Sequence, residues 1–233
     1  MTIMSSENIP LLEKENLDLP QKRGRGRPPK DESSKDEGNR RLELINCAAR
    51  LFRINGFAAT STRDIASAAH MHSGSPFYHF ESKQALLFEV MQSGMHSAMA
   101  RQNQALNTLP RHPSQSNTKE QLRCLIRHHF EVLLGTGNDF IPVMLYEFRS
   151  LDTHQQAVIS QLQRHYEAPW IPVLNELYRH QLLSCPVKMA RLLIFGALNW
   201  SVQWYSAQQA ASLDELTDAA ILLFLHPRTP SSK

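Results

Sequence analysis

The stretch Ser61–Lys83, STRDIASAAHMHSGSPFYHFESK, divides into two short helices around a tight turn, with a further helix starting at its end. Ser61 offers a capping oxygen, and Asp64 stands three residues on, the spacing of a capping box. The helix from about Thr62 to Ala69 is built on Ile65, Ala66 and Ala69, whose small side chains permit close approach of a neighbour. His70 to His72 make the turn. Pro76 has no backbone donor and suits a first helical turn, so the next helix is expected near Gly74–Phe80 with Ser73 as its cap. Ser82 caps the helix that follows. This is the pattern of a helix-turn-helix, which lays its second helix in the DNA major groove.

Working outward, a preceding helix is expected from about Arg41 to Asn55. Leu42, Ile45, Ala49 and Phe52 recur at helical spacing, with Leu44, Ala48 and Leu51 widening the face. Gly56 is a natural stop. In the turn helix, Ser73, Ser75, Tyr78 and His79 are placed to meet bases or phosphates. Ser61, Arg63 and Lys83 are expected to hold the DNA backbone. Lys83 stands in a first helical turn, where the dipole disfavours a cation, and a phosphate would explain it.

These residues resemble the TetR family of bacterial transcription regulators. The resemblance rests on Ala48–Phe52, Asn55–Phe57, Thr60–Ala66, Ser73–Ser75, Phe77–Phe80 and Ser82–Leu86. His70 stands where a turn glycine is common, Pro76 replaces an aliphatic residue, and Phe77 replaces a tyrosine that often touches a phosphate. The resemblance implies an all-α fold: an N-terminal three-helix helix-turn-helix domain (residues 40–86) and a C-terminal helical bundle for ligand binding and dimerisation (residues 87–227), then a tail (228–233). It implies a ligand-responsive homodimeric repressor on a palindromic operator. A plain helical hairpin inside a larger bundle is the competing reading.

Residues 1–39 lack apolar periodicity and are expected to be a disordered arm. Within it, residues 22–30 (KRGRGRPPK) look like an AT-hook. Arg25 and Arg27 would enter an A·T-rich minor groove, where a narrow groove concentrates negative potential. An inert basic tail is the alternative. Nothing at the N-terminus has the apolar core of a signal peptide.

The net charge over 233 residues is only +3, so the basic character is local. Cys47, Cys124 and Cys185 are odd in number and widely spaced, which suits a reducing cytoplasm and buried packing better than disulfides. The eleven histidines form no ligand spacing, so no metal and no cofactor is expected. No nucleophile–base pair or phosphate loop stands at a recognisable spacing, so the chain is read as a non-enzyme. No apolar run is long enough for a membrane span.

Beyond Ser82 the chain reads as helices: Lys83–Ala105, Thr118–Leu134 opened by a Thr118/Gln121 box, Asp139–Leu151, Thr153–Leu183 kinked or broken at Pro169 and Pro172, Pro186–Gln209, and a last helix capped by Ser212 and Glu215. In the family, the last two long helices pair across a two-fold axis. Trp200, Trp204, Leu216 and Leu223 are therefore expected at a dimer interface, or else complete the monomer core. The family also implies a small-molecule effector, here apolar or amphipathic. Phe130, Met144, Tyr146, Phe148, Tyr166 and Trp170 are candidate walls, each equally able to be ordinary core.

Overall fold

A computed structural model describes residues 30–72, 78–109, 115–135, 137–206 and 211–226. Among them are nine α-helices and no strand: α1 (Lys30–Asn55), α2 (Thr62–Ala68), α3 (Lys83–Asn107), α4 (Gln115–Leu134), α5 (Phe140–Glu147), α6 (Thr153–Glu167), α7 (Trp170–Arg179), α8 (Val187–Trp200) and α9 (Leu213–Phe224). The all-α expectation is borne out.

The head is α1, α2 and the start of α3. Leu44, Ile45, Ala48, Ala49 and Phe52 of α1 are buried with Ile65 of α2, Ala69 just after it and Phe80. Leu42, expected on that face, is exposed. α1 begins at Lys30, a full three turns before the expected start, so residues 30–39, expected to belong to a disordered arm, are helical backbone. Lys, Glu, Asp and Arg supply no apolar period there, yet a charged segment can extend a helix already fixed by packing downstream.

The body wraps α3. Leu86, Leu87, Val90, Met91, Met95 and Ala98 are buried along it, and it packs against α1, α4, α5 and α6. α4 lies between α3 and the pair α7 and α9. It starts at Gln115, so Thr118 sits inside the first turns and does not cap the helix. The expected helix through Pro169 is broken: α6 ends at Glu167 and α7 starts at Trp170. α8 stops at Trp200, short of Gln209, and a 3-10 turn continues over Ser201–Gln203. Ser212 and Glu215 cap α9 reciprocally.

α5, like α3, touches both halves. It packs on α1 of the head and on α3 and α4 of the body. Gly94 makes this possible, because a Cβ there would lie 2.4 Å from Phe140 Cβ.

Candidate nucleic-acid interface and effector chamber

The turn of the head is fixed by polar clamps. Ser61 accepts from Asp64 N–H at 3.1 Å, and Asp64 Oδ2 accepts from both Ser61 N–H at 2.9 Å and its hydroxyl at 2.6 Å. Those hydrogen bonds, the hydroxyl's first, hold the Asp64 carboxyl below its usual range. His70 takes φ 53°, which replaces the usual turn glycine at some cost. Tyr78 is 76% exposed and stacks edge-on against His79, ring centroids 5.1 Å apart. Both line an open groove with Arg40, His70, His72, Met71 and Glu37. Arg63 is exposed on α2. Ser73 and Ser75, and Arg25 and Arg27 of the arm, lie outside the described residues.

Lys83 is placed differently from the expectation. Its ammonium donates to the carbonyls of Phe57 at 2.8 Å and Thr60 at 2.9 Å, and lies 4.3 Å from the Phe57 ring centroid. Two otherwise orphaned turn carbonyls therefore explain a cation in this first helical turn, and a DNA phosphate is not needed to do so. The turn itself exists because Gly56 takes φ 80°. Thr60 Oγ1 closes it by donating to the Gly56 carbonyl at 2.8 Å.

The same turn is held from the body. Glu147, the last residue of α5, accepts from Phe57 N–H at 2.9 Å and from Ser150 Oγ at 3.0 Å. At the other end of α5, Asp139 pairs with Arg53 of α1 at 2.7 Å. The Asp139 carboxylate, one residue before α5, makes no side-chain cap bond.

Inside the body lies a chamber of about 40 Å³, room for little more than a water. Met95, Val132, Ile141, Met144, Leu145 and Phe195 supply its apolar surface. Of the six expected walls, Met144 and Tyr166 line it. Trp170 is buried behind it against Phe195, centroids 4.6 Å apart. Phe130 belongs to the core and Phe148 packs beside it in a 3-10 turn. Tyr146 is 50% exposed on the outside and accepts from Gln203 Nε2 at 2.6 Å. Size alone nominated the aromatic residues, whereas α5 turns Tyr146 away from the chamber and Met144 towards it.

The polar end of the chamber is a chain of buried groups. His129 Nε2 lies 3.0 Å from Asn199 Oδ1, and Nδ1 lies 3.0 Å from the Tyr166 hydroxyl. A carbonyl oxygen only accepts, so Nε2 carries the ring proton and Tyr166 donates to Nδ1. Gln102 donates to the Tyr166 carbonyl at 2.9 Å and accepts from Trp170 Nε1 at 3.1 Å. Burial pushes the His129 imidazole down to about 4, and the proximity of His128 adds to this against the opposing Asn199 bond. His128 Nε2 donates to the Ala98 carbonyl at 3.0 Å. The adjacent histidines therefore serve different partners. Cys47 and Cys124 are half-buried, and burial raises both thiols, the reverse of an activated thiolate.

Met189, Leu192, Leu193 and Trp200 of α8, Trp204 just beyond it, and Leu222 and Leu223 of α9 are large apolar side chains left exposed. Trp200 is 65% exposed and Leu223 75%. Leu216 is half-buried against the core, and Phe195 is buried in it. No helix among the described residues is long and apolar enough to cross a membrane.

Comparison with known proteins agrees with this anatomy. Residues 44–90 match the family model for bacterial regulatory proteins of the tetR family, and residues 115–227 match the tetracyclin repressor-like C-terminal domain. The HTH-type transcriptional repressor KstR2 of Rhodococcus jostii is 28% identical over 201 residues, covering 85% of this chain and 95% of the relative. The superantigen PfiT, a solved structure, is 35% identical, covers 80% of this chain and 96% of its own, and superposes with a TM-score of 0.65. AibR, solved with isovaleryl coenzyme A and operator DNA, is 21% identical with a TM-score of 0.69, covering 79% and 97%, and is similar in fold.

Proposed function

The chain belongs to the TetR family of bacterial regulatory proteins, and on that premise we propose that it is a ligand-responsive homodimeric repressor of a palindromic operator. The observation that carries this reading is the double duty of α5. Its Ile141, Met144 and Leu145 wall the chamber, and its Glu147 grips the turn of the head. A chamber of this size admits an effector only by moving a wall, and α5 is a wall joined to the DNA-binding head, as is α3 through Met95 and Lys83. Binding then favours one head position over another, which is what coupling two sites requires.

At the DNA, Ser73, Ser75, Tyr78 and His79 meet bases or phosphates, while Ser61, Arg63 and the remaining donor of Lys83 face the backbone. Arg25 and Arg27 add minor-groove contacts. The exposed apolar side chains of α8 and α9 support pairing with a second copy. Each large apolar side chain left in water forgoes about 1.5–3 kcal/mol of burial. A two-fold pair also sets two heads on successive major-groove faces. Such a regulator acts beside DNA in the cytoplasm and performs no catalysis.

The test is footprinting of the full-length protein on DNA flanking its own gene. A palindromic footprint that weakens with an effector is expected. Protein that remains monomeric in sedimentation, or binds without sequence preference at physiological salt, refutes the reading.

A further inference from the structure

We propose that the effector site runs out of the chamber into a cleft at Arg101 and takes an amphipathic anion, its carboxylate or phosphate held by the Arg101 guanidinium. This rests on the effector-chamber reading above and specifies its ligand. The cleft, about 160 Å³, is lined by Gly94, Ser97, Arg101, Asn138 and Phe140, and by Val132 and Ile141. Val132 and Ile141 also line the chamber, so a chain leaving it passes between these two side chains.

Arg101 is unusual among the half-buried arginines of the body. Arg123 and Arg127 pair with Asp214, and Arg191 pairs with Glu167. Arg101 has no carboxylate partner among the described residues. Its Nη2 donates to Asn138 Oδ1 at 3.2 Å, and its Nε is buried with no acceptor. A half-buried guanidinium with no carboxylate beside it leaves its charge uncompensated among the described residues, and an anion in the cleft compensates it. The planar fork suits a carboxylate or a phosphate equally.

The surroundings favour the same polarity. Ser97 lies one turn before Arg101 on α3 and adds a hydroxyl to the cleft. The first turn of α5 opens on it through Phe140 and Ile141, with Asp139 engaged by Arg53 rather than capping. Elsewhere the chamber holds Glu167, whose carboxylate already occupies Arg191 and offers an anionic head group no donor. The hydrocarbon part therefore lies among Met95, Val132, Ile141 and Met144, with the charge outward at Arg101.

Calorimetric titration of the full-length protein with octanoate, octyl phosphate and 1-octanol tests this. Both anions should bind at least about tenfold more tightly than the neutral alcohol. R101Q should weaken the anions about 10- to 100-fold and leave octanol unchanged, as expected for loss of a charge-assisted bond. R101K, which preserves the charge should R101Q fold poorly, should fall between. The tighter anion identifies the head group as carboxylate or phosphate. Octanol matching the anions, or R101Q and R101K both binding them as the wild type does, overturns the anchor while leaving the chamber intact as an effector site. If none of the three ligands binds the wild type, the chamber reading fails and the anchor falls with it.

Discussion

The head and the body are held together by opposite means. In the head, a turn of five residues is tied by short polar contacts: Lys83 to two carbonyls, Thr60 to Gly56, Glu147 to Phe57, and the Ser61–Asp64 box. In the body, apolar side chains close around a small void, and one buried polar chain joins α3, α4, α6, α7 and α8 through Gln102, His129, Tyr166, Trp170 and Asn199. Clamps fix a geometry that must be presented unchanged to DNA. Apolar packing around a void can yield to an effector without leaving donors unpaired.

Four experiments would break or sharpen this contrast. The largest effect is expected beneath the clamps, because they rest on a core. Phe52→Ala should destabilise the head by about 3–5 kcal/mol in chemical denaturation, the range for truncating a buried aromatic side chain. A loss below about 1 kcal/mol would mean that the polar contacts alone suffice there.

The second concerns the buried chain and pH. His129 is neutral when folded, with its ionisation pushed down to about 4 from about 6.5. Between those values the unfolded chain binds more protons, so stability is complete above about pH 6.5 and falls as pH drops towards 4. The total is about 3 kcal/mol, at 1.36 kcal/mol per unit. H129Q should flatten that window when unfolding is followed against pH. A slope unchanged by H129Q would remove the histidine from the account.

Third, Glu147→Gln weakens a charge-assisted bond to the Phe57 N–H, at a cost of about 1–2 kcal/mol. It should leave dimerisation intact in sedimentation and reduce the effector's influence on DNA affinity. Full retention of that influence would relocate the coupling away from α5. Last, Ser61→Ala removes a cap worth about 1 kcal/mol. Its effect should appear in thermal unfolding of the head and leave effector binding in calorimetry untouched.

The contrast also explains what the amino-acid sequence reveals. Some caps are written in residue type and spacing, so the boxes at Ser61 and Ser212, the cap at Ser82 and an interruption at Pro169 are readable in advance, whereas Thr118 falls inside α4 and Asp139 makes no side-chain cap bond. The early start of α1 is not, because Lys30–Asn39 carries helix-forming charge without apolar period. Nor is the role of Lys83, since its acceptors exist only once Gly56 has turned the chain. The chamber is the least legible part. Its walls come from α3, α4, α5, α6 and α8, and which face of each turns inward is settled by packing between them. His129 and Asn199 thus meet at one end of it, though nothing local to either announces the other. Leu222 and Leu223, by contrast, stay on the surface of a helix whose period is plain.

Gly94 has a mechanical consequence. Where Phe140 settles on α3 there is no space for even a methyl group, so the upstream end of α5 is a fulcrum. A rigid rod of eight residues reaches about 12 Å from it. A wedge driven under Ile141 and Met144, near the fulcrum, lifts the far tip through a larger arc. Glu147 sits at that tip, so under the proposed coupling a small swelling of the interior would reach the reading head enlarged.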